Sequence, residues 1–256
     1  MTMRVRLSWL CAGAVVALVA AGSANAVPEA AARMTEAHGG LEAWRALGSM
    51  TFVDSWSTGL AGRVTMETGS RRAVLELTGS DAVAAWDGAK VWSVHWPAEM
   101  PPPRFLVGLN WYFLNLPWLV HDPGVRLAEE GTVTVGDDPT QYVAVRMTFG
   151  EGVGDTPDDY YLLYIHPETW RLHGCEYVVT YDAILPDGVE HTPPHDLIFE
   201  EFTETGGLVL PTAFTVYNKD GTVYASCRVE EWNLDEPFDE ARLEMPDGAV
   251  LDESQP

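Results

Sequence analysis

From Met50 onward, apolar and polar side chains alternate with a period of two, in short runs broken by turn residues. "TFVDSWS" leads to Gly59; "RVTMETG" and "SRRAVLELTG" follow; "DAVAAWDGAKVWSVHW" carries Asp87-Gly88, a strong hairpin signal. In "QYVAVRMTF", Val143, Val145, Met147 and Phe149 point one way, while Tyr142, Ala144, Arg146 and Thr148 point the other. "YYLLYIHPETWRLHGCEYVVTY" reads as two strands joined at His166–Thr169. A meander punctuated by Gly206-Gly207 and Asp220-Gly221 comes next, with Val223, Ala225, Cys227 and Val229 as one inward face. The pattern predicts a mostly β chain with a few helices, built on one large, curved antiparallel sheet of roughly ten to twelve strands.

Two stretches break the alternation. "PEAAARMTEAHGGLEAWRALGSM" predicts a helix from Pro28, a break at Gly39-Gly40 and a second short helix ending at Gly48. Ala32, Met34, Ala37, Leu41, Trp44 and Leu47 would lay its apolar stripe on the concave side of the sheet. The other is "RFLVGLNWYFLNLPWLVHDPG", free of charge from Phe105 to Val120. Phe105, Leu106, Leu109, Phe113 and Leu116 recur at helical spacing, with Trp111, Tyr112 and Trp118 on the remaining face. Pro117 is expected to end this helix, and Asp122-Pro123-Gly124 to turn the chain back into a strand.

A helix apolar most of the way round must be covered on more than one side. Its large side chains together represent on the order of 20 kcal/mol of burial, too much to leave in water on a marginally stable fold. The sheet covers one face. The other is met by the chain's own core, by an apolar ligand beneath a lid, or by a partner protein.

The start of the chain changes the picture of where it works. Arg4 and Arg6, the apolar run Leu7–Ala21 and Ala24-Asn25-Ala26 have the form of a secretory signal peptide. The apolar run is shorter than the roughly 20 residues of a membrane span. Residues 1–26 are therefore expected to be removed, leaving one domain over 27–246 and a flexible tail over 247–256, in an exported protein. The whole chain has 15 basic and 38 acidic residues, a formal charge of −23. Such a surface repels nucleic acid and anionic headgroups. Cys175 and Cys227 fall mid-strand, on strands separated by two others in a simple meander. With strands roughly 4.8 Å apart, their sulfurs are expected to be out of reach of each other.

"AARMTEAHGGLEAWRALGSMTF", then "NWYFLNLPWLVHDPGVRL", "YYLLYIHPETWRL" and "GLVLPTAFTVYN" resemble, in the same order, an uncharacterised branch of the outer-membrane lipoprotein-sorting (LolA/LolB-like) superfamily. The resemblance spans most of the chain after the leader. It implies a periplasmic location and a half-open β-barrel whose helices close a concave hydrophobic face, and its best-known members carry lipoprotein acyl chains across the periplasm. The expected partner is thus a hydrophobic small molecule or acyl chain, with a lipoprotein or envelope protein as a further partner, and the expected state is a monomer. From pattern alone, the ligand wall is assigned to Trp111, Tyr112, Phe113, Leu116, Trp118, Val143, Val145 and Met147.

Signatures of catalytic chemistry are thin. "EHTPPHD" offers His191, His195 and Asp196 as metal ligands of a hydrolase, with Glu190 and Glu200 nearby. The Pro193-Pro194 spacer is extended, so the two histidines would not share a helical face. "HGG" at His38 lacks the G-x-S-x-G elbow that would make it an oxyanion loop. His95 is read as a strand-face residue, and His121, His166 and His173 as structural. No cofactor, no metal and no enzymatic activity are expected. An exported scaffold whose core is filled by its own side chains is the alternative.

Overall fold

The computed structural model describes residues 26–150, 153, 154, 156 and 158–254. The expected leader, apart from Ala26, lies outside the described residues, as do four positions of the acidic loop after Phe149 and the last two residues.

Among the described residues, thirteen strands form one antiparallel sheet. They are β1 (Ser49–Trp56), β2 (Ala61–Glu67), β3 (Ala73–Leu77), β4 (Val83–Trp86), β5 (Val91–Val94), β6 (Val125–Val135) and β7 (Asp138–Phe149). They continue as β8 (Tyr160–Ile165), β9 (Leu172–Tyr177), β10 (His195–Thr205), β11 (Leu208–Asn218), β12 (Val223–Asn233) and β13 (Val250–Leu251). The order is β13-β5-β4-β3-β2-β1-β12-β11-β10-β9-β8-β7-β6, so two meanders join where β1 pairs with β12. The sheet is open, with β13 and β6 as its edges.

Among the described residues, three α-helices accompany it: α1 (Glu29–Ala37), α2 (Leu41–Ala46) and α3 (Pro103–Leu119). The contacts of α3 show how strongly the sheet curls. Asn110 bonds to Asp54 of β1, Gly108 lies beside Trp86 of β4, and Tyr112 packs on Phe149 of β7 and Tyr161 of β8. Strands β4 and β7 stand nine steps apart in the order, roughly 43 Å on a flat sheet at 4.8 Å per step. One helix about 10–12 Å across reaches both, so the sheet wraps around α3.

The period-two reading survives in the faces. Val145, Met147 and Phe149 enter the main core, with Val143 packed against it, while Tyr142 and Ala144 join a separate outer cluster with Leu162 and Tyr164. The cysteines stand on β9 and β12 with β10 and β11 between them, and both are free and buried.

Several expectations need correction. The sheet has one strand more than the upper expectation, because Val250 and Leu251 of the expected tail pair with Ser93 and Trp92 as β13. Val223 is 61% exposed, and the inward face of β12 begins at Ala225. α1 buries Ala30, Ala31, Met34 and Thr35 rather than Ala32 and Ala37, and α2 buries Trp44. α3 runs two residues past Pro117. A proline cannot donate to the carbonyl one turn back, yet its own carbonyl accepts from the Thr35 hydroxyl at 2.7 Å, which ties this last turn to α1. His95 lies beyond the end of β5 at φ 52°, exposed and paired with Asp81, not on a strand face.

Candidate ligand cavity

Pro102 and Pro103 start α3; a proline at the first helical position lacks only an N–H that would be unsatisfied there anyway. The C-terminal half of the helix is packed tightly. Leu116 and Trp118 are fully buried, and the Trp118 indole donates to the Gly40 carbonyl at 3.2 Å. Behind it, His38 links the α1–α2 break to the sheet. Its Nδ1 lies 2.9 Å from the Val209 carbonyl, and its Nε2 accepts from the Leu172 N–H at 3.0 Å. Those two bonds call for the neutral tautomer protonated at Nδ1. Burial agrees, lowering the His38 pKa to about 4.

The N-terminal half of α3 is different. Phe105, Leu106, Leu109 and Phe113 present one stripe to a cavity of about 740 Å³. Trp56, Leu60, Ala61 and Leu77 wall it from β1–β3, and Tyr177, His195, Val216 and Ala225 from β9–β12. Met100 and Pro101 before α3, and Val179, Ile184 and Thr192 after β9, complete the lining. Phe105 and Leu109 are only partly buried, unlike Leu106 between them. Gly59, Ala61 and Ala225 contribute small or no side chains to the wall, which leaves room in the bend of the sheet.

Beside the cavity, the inward row Met50, Phe52, Asp54, Trp56 places a carboxyl in the apolar interior. The Trp56 indole and the Asn110 amide donate to Asp54 Oδ2 at 2.9 and 3.0 Å. Burial raises the Asp54 pKa above its ordinary value, against the pull of those bonds.

Of the eight residues assigned from sequence, Phe113 alone lines this cavity. Tyr112 and Phe113 border a much smaller hollow of about 40 Å³, and Trp111 borders a third of about 170 Å³ next to Trp44 and Arg71. Leu116, Trp118, Val145 and Met147 are solid core, and Val143 packs against it. The cavity residues on β1–β3 and β9–β12 were missed. Their one legible signal was the alternation that sends Trp56 inward with Phe52.

The metal-ligand alternative separates in space. His195 faces the cavity, packed 4.6 Å from Tyr224, while Asp196 points to the opposite face and is held by the Tyr164 hydroxyl at 2.7 Å and Lys219 Nζ at 2.8 Å. His191 is exposed on the preceding loop, its Nδ1 2.7 Å from the Thr192 carbonyl.

A wrapped open sheet with a helix in its concavity is the architecture that the lipoprotein-sorting resemblance implied. No protein-family model matches the sequence, and no curated protein matches it. Among solved structures, the chain is similar to a DUF1329 family protein from Desulfovibrio piger, at 10% identity and TM-score 0.49 over 80% of this chain and 97% of that one. It is similar to a LolA superfamily protein from Nitrosomonas europaea at 10% identity and TM-score 0.47, over 80% and 97% of the two chains. A putative outer membrane lipoprotein-sorting protein domain from Vibrio parahaemolyticus aligns at 8% identity and TM-score 0.47, over 82% and 97%.

Proposed function

We propose that this protein is an exported, non-enzymatic binder or carrier of a hydrophobic ligand (an acyl chain or lipid, free or borne by a lipoprotein) held between α3 and the curled sheet. The observation that carries this reading is the cavity of about 740 Å³ with an apolar stripe of α3 along one wall. Ligand sites typically span roughly 300–1,000 Å³ and are mostly apolar with a few polar groups. Covering the exposed parts of Phe105 and Leu109 adds to binding, since burying a large apolar side chain fully is worth about 1.5–3 kcal/mol. The leader-like residues before Val27 support export, and the divergence of His195 from Asp196 favours binding over metal-assisted hydrolysis. In this reading Phe113 touches the ligand, while Leu116, Trp118, Val145 and Met147 hold the helix that presents it.

The test fills the hollow without removing core. Ala61→Phe and Ala225→Phe each place a ring in the cavity from a position that carries a methyl. Uptake of the fluorescent apolar probe N-phenyl-1-naphthylamine should fall at least about tenfold, a loss of about 1.4 kcal/mol of binding, in a double variant that a cooperative thermal transition shows to be folded. Unchanged uptake in the folded double variant defeats the proposal.

A further inference from the structure

Resting on the reading of the cavity as a ligand site, we infer that the ligand is uncharged: the site takes a neutral lipid-like molecule, such as a long-chain alcohol or ester, and excludes fatty-acid and phosphate-bearing anions.

The lining carries the argument. Among the described residues that line the cavity there is no Lys, Arg, Asp or Glu. Its polar side-chain groups are the hydroxyls of Thr58, Thr78, Ser80, Thr192, Tyr177 and Tyr224, the imidazole of His195, and the Trp56 indole N–H, which is already given to Asp54. An ionised group moved into such surroundings loses its hydration without gaining a partner, a penalty of several kcal/mol. Hydroxyls and a neutral imidazole satisfy an alcohol or a carbonyl at no such cost.

The approach to the cavity points the same way. The loop segments that supply Met100, Pro101, Val179, Ile184 and Thr192 to its lining, residues 95–102 and 178–194, contain Glu99, Asp182, Asp187 and Glu190 and no Lys or Arg. All four acids are exposed. Asp81, beside the lining Ser80, pairs with His95 at 2.8 Å. An anion therefore meets a field of its own sign before it meets the wall.

Three other groups bear on this balance. Tyr177 is buried in the wall and its hydroxyl is held protonated, the pKa pushed up by burial. His195 is held below its ordinary pKa by the same cause, so it is neutral at pH 7. Arg104 is the nearest cation on α3. It borders the small neighbouring hollow together with Asp159, with its guanidinium over the Trp86 ring and its backbone N–H bonded to Asp252. It is turned to the protein's own groups rather than to the main cavity.

The experiment displaces N-phenyl-1-naphthylamine with lauryl alcohol or with laurate, each below its micelle concentration, between pH 5.5 and 8. Lauryl alcohol should displace the probe with little dependence on pH. Laurate should be at least about tenfold weaker at pH 7 and lose about tenfold for each further pH unit, because only its protonated form enters. That slope should persist in His195→Gln, which separates protonation of the ligand from protonation of the wall. Thr58→Lys, on the exposed β1–β2 turn at the rim, should raise laurate affinity relative to alcohol. Laurate binding as tightly as alcohol, or laurate binding that is lost in Arg104→Gln, overturns the inference and leaves the cavity reading intact. Absence of probe binding to the folded protein removes the cavity reading, and the inference with it.

Discussion

The indole of Trp118 lies flat on that of Trp44, 4.4 Å between centroids and 7° between planes. This contact joins the packed half of α3 to α2, and the edge of His38 meets the same Trp118 ring at 6.1 Å. Offset aromatic pairs of this kind add about 0.5–1.5 kcal/mol beyond their buried area.

Trp118→Ala should therefore destabilise the protein by about 3–5 kcal/mol, the range for removing a large aromatic side chain from a core. Trp118→Phe should lose less. Urea unfolding followed by the remaining tryptophans measures both; a loss below about 1 kcal/mol for the alanine variant would contradict the packing described here.

His38 makes stability depend on acidity. Its folded pKa of about 4 lies below the ordinary 6.5, so the unfolded chain binds the proton more readily. Its contribution is complete above pH 6.5 and is lost as pH falls towards 4, by up to about 3 kcal/mol over that window. His38→Ala should remove this slope and, by stranding the Val209 carbonyl and the Leu172 N–H, cost about 1–3 kcal/mol for each. Thermal midpoints of both proteins across pH 4–7 test the claim; parallel curves would refute it.

Gly39 sits at φ +104°, and a Cβ there would drive into the Gly207 carbonyl oxygen of the β10–β11 turn. Gly39→Ala should cost about 1–3 kcal/mol from backbone strain plus the clash. Gly59, also at positive φ but with open space beside it, should lose less on the same change. The two midpoints compared side by side decide the point.

Asp54 has the opposite pH sign to His38. Its folded pKa is raised by burial, so folding favours the protonated form and stability falls as pH climbs from the ordinary carboxylate range to the raised value. Asp54→Asn keeps an oxygen to accept from the Trp56 indole and should flatten that fall, leaving the variant relatively more stable at neutral than at acidic pH. A variant whose pH profile matches that of the native protein would show that Asp54 titrates normally.

Much of this architecture was legible in the residue order because it rests on local periodicity. Alternation at Tyr142–Phe149 assigned both faces of β7, since successive strand side chains must point to opposite sides. Gly39-Gly40 announced the break between α1 and α2, because both glycines adopt the positive φ that other residues avoid. The separation of Cys175 from Cys227 followed from meander order and strand spacing alone.

The wall of the cavity was not legible in the same way. Helical spacing correctly makes Phe105–Trp118 a helix needing cover on several sides, yet bulk does not mark the cavity, since the bulkiest residues, Trp111 and Trp118, are core. A hollow forms where side chains are small or sparse, at Gly59 and Ala61 of the β1–β2 hairpin and Ala225 of β12, which come together from distant parts of the chain. Periodicity reports which way a side chain points; it carries no measure of what stands opposite. That distance is set by how far thirteen twisted strands curl around one helix, a property of the assembled sheet rather than of any segment within it.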